Sequence, residues 1–127
     1  MPEFELSPQA PVITAYARLA NTQVRRVLMG LHTGATYTMI PWDIAEVLGY
    51  EPAISRRKVD IITASGVEKA PLITLSSISA LGKEAKNVDC VVHDLPQASR
   101  VEGLLGLSFL RNFTVLLDFR RGLLRID

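Results

Sequence analysis

Short apolar segments alternate with polar turns along most of the chain, and this pattern predicts a mostly β protein. Residues 12–19 and 24–31 predict a hairpin, because each segment suits a strand and the residues between them are polar. A second hairpin is predicted around the small turn at residues 64–66, and a third ends the chain. The predicted strands are residues 12–19, 24–31, 59–63, 67–70, 72–75, 78–81, 87–93, 101–105, 114–119 and 123–127, with a turn at 82–86.

The clearest helix is predicted at residues 41–49. Pro41 suits the first helical turn, Asp43 lies near the positive end of the helix dipole, and Gly49 is a common stop. A shorter helix is expected after Gly106, where the apolar strand from Val101 breaks. The predicted fold is therefore mostly β, with one or two short helices.

The length of 127 residues suits one domain. Residues 1–11 are polar and spaced by prolines, so we expect an extended N-terminal lead-in before a domain at residues 12–127. A hydrophobic content of 48% and a charged content of 21% are ordinary for a globular protein. The net charge of +1 gives no field that would favour nucleic acid or an anionic membrane.

Membrane and disulfide features are also lacking in the sequence. No apolar run approaches the roughly 20 residues of a membrane span, and the acidic start at residues 1–5 is unlike a basic signal peptide. The single cysteine, Cys90, cannot form an internal disulfide, and its apolar neighbours predict a buried strand thiol rather than a nucleophile. These features predict a soluble, cytoplasmic protein.

The most unusual stretch is a polar turn between two apolar segments, at residues 31–41. Its centre, residues 33–36, is small and rich in hydroxyl groups, so its backbone can approach a ligand or another chain closely. Gly34 is free to take a positive φ there. A loop of this composition favours a functional role over a simple connection.

This stretch resembles the Asp-Thr-Gly-Ala-Ser/Thr loop of aspartic peptidases of the single-domain, retropepsin-like kind. The matching residues are His32, Thr33, Gly34, Ala35 and Thr36, followed by Met39-Ile40-Pro41. In that family an apolar strand delivers the loop and an Ile-Pro pair follows it, as here. His32, however, occupies the position of the family's catalytic aspartate.

The resemblance continues in chain order over roughly residues 12–127. Leu104-Leu105-Gly106 is similar to the family's apolar-apolar-Gly strand, which crosses beneath the catalytic loop. The family also carries a flap hairpin that covers the substrate. The resemblance implies a retropepsin-like acid-protease β-barrel, in which Leu105 and the flap would bind substrate. The residues similar to the flap are Ile62, Thr63, Ala64, Ser65 and Gly66.

The family's chemistry implies a homodimer. Aspartic peptidases cut amide bonds with two adjacent carboxylates that share one proton. A chain of 127 residues has one such loop, so two copies would form one active site on a twofold axis. Thr33 would then form a hydrogen bond across the axis, and apolar residues 123–126 would belong to the interface.

His32 changes this chemistry. A pair of histidines can in principle act as base and acid, but it would carry positive charge where the family's pair carries negative charge. Loss of a positioned acid or base commonly costs ~10²–10⁴-fold in rate. We therefore expect an aspartic endopeptidase domain in which hydrolysis is lost or badly impaired, while an extended peptide still binds.

Other residues are weaker candidates for chemistry. His93 is expected at the end of a strand, and Tyr37 is expected to pack in the core or against the loop, with the cleft within its reach. Two symmetry-related histidines are fewer ligands than zinc usually takes, so we expect no metal and no cofactor. Surface or turn roles are expected for five aspartates, which are Asp43, Asp60, Asp89, Asp94 and Asp118.

Several interpretations of His32 stay open at this level. The motif could be coincidental, or the chain could pair with a related chain that retains the aspartate. Within the family interpretation, the chain is either a sequence-altered form of an active peptidase or a natural pseudopeptidase that binds peptides. The near-complete loop motif and the intact block at residues 103–106 favour the sequence-altered form.

Overall fold

The computed structural model describes residues 2–127, and it is mostly β, as the pattern predicts. The two α-helices are short, and a 3₁₀ turn lies at Pro52–Ile54. The elements in chain order are β1 (Glu3–Glu5), β2 (Thr14–Ala20), β3 (Val24–Leu31), β4 (Thr38–Ile40), α1 (Trp42–Val47), β5 (Lys58–Thr63), β6 (Gly66–Ala80), β7 (Lys83–Val92), β8 (Gly103–Leu105), α2 (Leu107–Leu110), β9 (Val115–Asp118) and β10 (Leu123–Ile126).

The main sheet closes on itself to form a barrel. Its strand order is β2-β3-β8-β4-β7-β6-β5, and a further pairing of β2 with β6 completes the ring. Apolar side chains of the strands, among them Leu19, Met29 and Ile78, are completely buried inside it, together with Phe109 of α2. The alternation along the strands therefore places one face of each strand in a common core.

The second hairpin is longer than the sequence predicts. The three segments predicted at residues 67–70, 72–75 and 78–81 form one 15-residue strand, β6. Its first part pairs with β5 as far as Pro71, and from Leu72 onwards it pairs with β7. Pro71 has no N–H to donate, and it lies where β6 changes its partner. Where the sequence predicts a break between two strands, β6 continues and changes its partner strand from β5 to β7.

The turn predicted at residues 82–86 is also wrong. The chain reverses at Leu81-Gly82 alone, and β7 begins at Lys83, which pairs with Ala80. Both turn residues have positive φ, 55° for Leu81 and 73° for Gly82, as a tight two-residue hairpin turn requires. Leucine rarely takes this conformation, so the sequence gives little signal for it.

Three neighbouring strands of the main sheet surround the 32–37 loop. β8 lies between β3 and β4, parallel to β3 and antiparallel to β4. The 32–37 loop, which joins β3 to β4, must therefore pass across the end of β8. This crossing places residues that are about 70 positions apart in sequence beside each other.

The chain ends form a separate sheet of order β1-β10-β9. The N-terminal lead-in thus contains a short strand that the sequence did not predict, and Glu3 Oε1 lies 2.7 Å from Arg125 Nε. Leu124 and Ile126 are fully buried within the chain. The side chains of these two residues already pack within the chain, and the place of residues 123–126 in a dimer interface stays a prediction.

The helices are close to their predicted positions. Pro41 immediately precedes α1, and Gly49 follows it with a φ of 98°. Within residues 2–127, none of the helices combines the length and the apolar character that crossing a membrane would need.

Candidate active site

Backbone hydrogen bonds fasten the 32–37 loop to β8 and α2. The His32 N–H donates to Leu105 O at 3.0 Å, at the end of β8. The Leu107 N–H, at the start of α2, donates to Ala35 O at 2.8 Å. The loop is therefore anchored at its first residue and again near its middle.

A buried threonine reinforces the same crossing. Thr38 is fully buried, and its Oγ1 accepts the Gly106 N–H at 3.2 Å. The Ser108 Oγ lies 3.1 Å from Thr38 Oγ1 and also accepts the Thr38 N–H at 2.8 Å. These bonds satisfy polar groups inside the core, which would be costly to leave unpaired. Sequence reasoning missed this pair, which lies 70 residues apart in the chain.

Two glycines make the crossing sterically possible. A Cβ on Gly106 would lie 2.4 Å from the carbonyl oxygen of Tyr37, and one on Gly103 would lie 2.5 Å from that of Met39. Both contacts are with backbone, which cannot move aside as a side chain can. The glycines at both ends of the Gly103-Leu104-Leu105-Gly106 block are thus explained by close packing.

His32 extends its ring from the base of this loop. The residue is exposed, and its Nδ1 accepts the Gly34 N–H at 3.1 Å. A neutral ring accepts this bond only with its hydrogen on Nε2. Gly34 does not have the positive φ that the sequence allowed, but a Cβ there would lie 2.9 Å from His32 Cε1. Glycine at position 34 therefore leaves room for the ring.

His32 borders a groove of about 780 Å³ between the loop and the β5–β6 hairpin. The groove is mostly apolar where Met39, Val91 and Leu104 line it, and β5 contributes residues 60–63 along one side. This volume is in the range of ligand-binding clefts. In the part of the chain that the structure describes, β5 pairs only with β6, so its other edge has no strand beside it there.

Each carboxylate that lines the groove has a partner other than His32. Asp60 Oδ1 lies 2.6 Å from Lys69 Nζ, and Asp94 Oδ1 accepts the Trp42 N–H at 3.0 Å.

The third carboxylate, Glu68, has its Oε2 2.9 Å from His93 Nε2. Among residues 2–127, the His32 ring forms a hydrogen bond only with Gly34. The groove therefore presents His32 without an adjacent carboxylate in this chain.

The structure gathers most of the predicted site residues around the groove. His32, Gly34 and Ala35 line it, as do residues 62–65 of the hairpin. Thr33 and Gly66 lie next to lining residues without lining the groove themselves.

Leu105 is a correction. Its side chain is fully buried in the barrel core, and the preceding Leu104 lines the groove instead. Neighbouring side chains on a strand point to opposite faces, so the alternation along β8 could have identified Leu104.

Sequence reasoning missed part of the polar lining. The sequence does not single out Glu68, and it predicts surface or turn roles for Asp60 and Asp94, yet all three line the groove. His93 does lie at a strand end, as expected, but it also faces the groove. Tyr37 lines the groove as well.

The one cysteine does not belong to this site. Cys90 is fully buried, and burial raises the pKa of its thiol far above the ordinary value. The thiol therefore stays protonated in the folded chain. Among the described residues, no three His, Cys, Asp or Glu side chains are placed to hold a metal ion.

Comparison with known families agrees with this geometry. The model of the gag-polyprotein putative aspartyl protease family matches residues 18–112, most of the chain. The chain therefore belongs to that family of aspartic-protease-like domains, which confirms the resemblance drawn from the loop.

A solved structure agrees over the whole length. The crystal structure of a retropepsin-like aspartic protease from Rickettsia conorii matches with a TM-score of 0.73 and 27% sequence identity. The match covers 100% of this chain and 99% of that one, which confirms the retropepsin-like fold. A search of curated proteins gives no match to this chain.

Proposed function

We propose that residues 12–127 form an aspartic-endopeptidase domain that acts as a homodimer on extended peptides, with His32 at the position of the catalytic aspartate. In the sequence as it stands, hydrolysis is lost or strongly impaired, and peptide binding is retained. The observation that carries this proposal is the position of His32, whose ring borders the groove from the base of a firmly anchored loop.

The proposed chemistry needs two copies. Amide hydrolysis by this mechanism uses one carboxylate to accept a proton from water and a second carboxyl group to donate one to the carbonyl oxygen. One chain contributes one 32–37 loop, so the pair would form on a twofold axis between two subunits. With histidine in both loops, the shared proton and the negative charge of the carboxylate pair are both absent.

The local geometry supports replacement of His32 by aspartate. The Gly34 N–H already donates to a side-chain acceptor two residues earlier in the chain. Aspartate commonly accepts the same hydrogen bond in turns of this kind. The loop should therefore keep its conformation in the His32→Asp variant, and the carboxylate would take the place of the ring at the groove.

Peptide binding depends on other features. The β5–β6 hairpin acts in the proposal as a flap, and an extended peptide would lie between it and the 32–37 loop. Main-chain groups on an open strand edge and apolar pockets can bind such a peptide without any catalytic group. Both are present along the groove, in the outer edge of β5 and in the apolar lining.

The second candidate function is a pseudopeptidase that only binds peptides. It is favoured by the pairing of all three groove carboxylates, since Asp60, Glu68 and Asp94 are each held by another residue. None of these three carboxylates forms a hydrogen bond with His32, so none is placed to replace the missing aspartate. The two candidates differ in whether one substitution restores cleavage.

The test compares the chain with its His32→Asp and His32→Asn variants on a mixed peptide library from acidic to neutral pH, read by mass spectrometry. We expect cleavage by His32→Asp at least ~100-fold faster than by the other two proteins. His32→Asn is the matched control, because it has the shape of aspartate without its charge. Cleavage by none of the three would favour the pseudopeptidase, and equal cleavage by all three would overturn the proposed role of residue 32.

A further inference from the structure

A polar contact joins the tip half of the β5–β6 hairpin to the barrel. Glu68 lies on β6 two residues after the hairpin turn, and its Oε2 is 2.9 Å from Nε2 of His93. His93 directly follows β7, and its N–H donates to Ile40 O at 3.0 Å. The contact therefore connects a projecting hairpin to a residue whose backbone is fixed by the barrel.

Two ion pairs of the hairpin connect other parts of the structure. Asp60 and Lys69 are cross-strand partners, so their contact joins the two hairpin strands to each other. Arg57 and Asp89, 3.3 Å apart, join the base of the hairpin to β7. Among the described residues, Glu68–His93 is the contact between a carboxylate and an imidazole that joins the tip half to the barrel.

Apolar packing fixes the base of the hairpin more than its tip. Val59 and Ile61 pack against the buried residues Ala70 and Val91. Nearer the turn, Ile62 is 89% exposed, and residues 64–66 are exposed as well. With little buried apolar area near the turn, one polar contact has a large share in holding the tip.

We propose that Glu68 and His93 are positioning residues, which form a latch that holds the tip half of the hairpin over the groove and tightens when His93 is protonated. A histidine changes charge between about pH 5 and 8. Protonation of the ring adds the attraction between opposite charges to a hydrogen bond that already has an ionised acceptor. The latch thereby sets the height of the hairpin over a bound peptide, and this part of the inference rests on the proposed function.

The surroundings of His93 agree with this assignment. Its sequence neighbour Asp94 is engaged by the Trp42 N–H, and Asp60 on β5 is engaged by Lys69. His32 and Tyr37 line the groove from the loop side. Glu68 is thus the carboxylate in direct contact with the His93 ring.

The test is amide hydrogen exchange of the free chain, compared near pH 5.5 and near pH 8 after correction for intrinsic exchange. We expect the protection of hairpin residues 61–68 to be roughly fivefold higher at the lower pH. In Glu68→Gln, which keeps the shape but not the charge, this difference disappears. His93→Gln abolishes it as well, because the titrating ring is gone.

The matched control is Asp60→Asn, which removes a charge from the same hairpin without touching the link to the barrel. This variant should keep the pH difference. The latch is overturned if the unsubstituted chain shows equal protection at both pH values, or if Glu68→Gln keeps the difference. No peptide or cleavage is needed for this readout, so its result is independent of whether the proposed function holds.

Discussion

The two sides of the groove are built in opposite ways. The 32–37 loop is held by backbone hydrogen bonds from β8 and α2, by the buried hydroxyl of Thr38, and by glycines against which the backbone packs directly. The facing hairpin is held near its turn by the Asp60–Lys69 ion pair, by the contact of Glu68 with His93, and by little apolar packing. One side is therefore part of the core, whereas the other is attached to its surface.

The two sides of the groove therefore suit different tasks: the loop can hold a side chain precisely, and the hairpin can move to admit a ligand. A group that takes part in acid-base chemistry must be held within a fraction of an ångström, which a loop anchored in the core provides. In the proposed function a peptide must enter and leave, which a weakly held hairpin permits. The contrast also explains how histidine at position 32 is compatible with the fold, since His32 is exposed and, within residues 2–127, its ring forms a hydrogen bond only inside its own loop.

Among the substitutions that test this contrast, Gly106→Ala should lower the free energy of unfolding the most. Its Cβ would meet the backbone of Tyr37 at 2.4 Å, so the loop or β8 must shift, at a cost of about 3 kcal/mol in the free energy of unfolding. Urea denaturation measures this loss. The control is Gly30→Ala, whose Cβ would make contacts of 3.4 Å or more with side chains and should cost under about 1 kcal/mol. Equal losses in both variants would argue against close packing as the anchor.

Thr38→Val should have the next largest effect. The substitution keeps the shape but removes the acceptor of the Gly106 N–H, leaving buried polar groups unpaired at a cost of about 2 kcal/mol. Thr38→Ser keeps the hydroxyl and should lose less.

Cys90 provides a second readout of this variant, because it is the register partner of Thr38 on β7 and its thiol is protonated and buried. Thiol labelling should therefore be faster in Thr38→Val than in the unsubstituted chain. An unchanged labelling rate together with unchanged stability would show that the hydroxyl contributes nothing.

Hairpin substitutions should have the smallest effect on global stability. Asp60 and Lys69 are 58% and 72% exposed, and exposed pairs of this kind contribute less than about 1 kcal/mol. We expect the midpoint of urea denaturation of Asp60→Asn to stay close to that of the unsubstituted chain. A loss comparable to that of Gly106→Ala would mean that the hairpin belongs to the cooperative core, contrary to the comparison.

The anchored side of the groove could largely be predicted from the sequence. The strand into His32, the small loop and the break at Gly106 are local patterns of apolar alternation and glycine. The facing side could not be predicted in the same way. Glu68 and His93 lie 25 positions apart, and only the folding of the hairpin over the groove brings them together.

Two further errors of the sequence prediction, the length of β6 and the turn before β7, arise from features of the backbone. The length of β6 depends on a change of strand partner at Pro71, and the tight turn depends on a positive φ at Leu81. Neither feature follows from the usual preference of proline to end strands or of glycine to form turns. The misassignment of Leu105 has a simpler origin, since the family motif names the strand but not which of its faces meets the groove.

The central claim is that catalysis requires a carboxylate at residue 32 from each of two copies, and a mixing experiment tests it most directly. The unsubstituted chain is titrated into a fixed amount of His32→Asp, under conditions where subunits exchange, and peptide cleavage is followed. With random pairing, an equal amount of the unsubstituted chain should reduce cleavage to about half, and an excess should suppress it further. His32→Asp that is inactive alone, or whose activity is unaffected by the unsubstituted chain, would contradict the account.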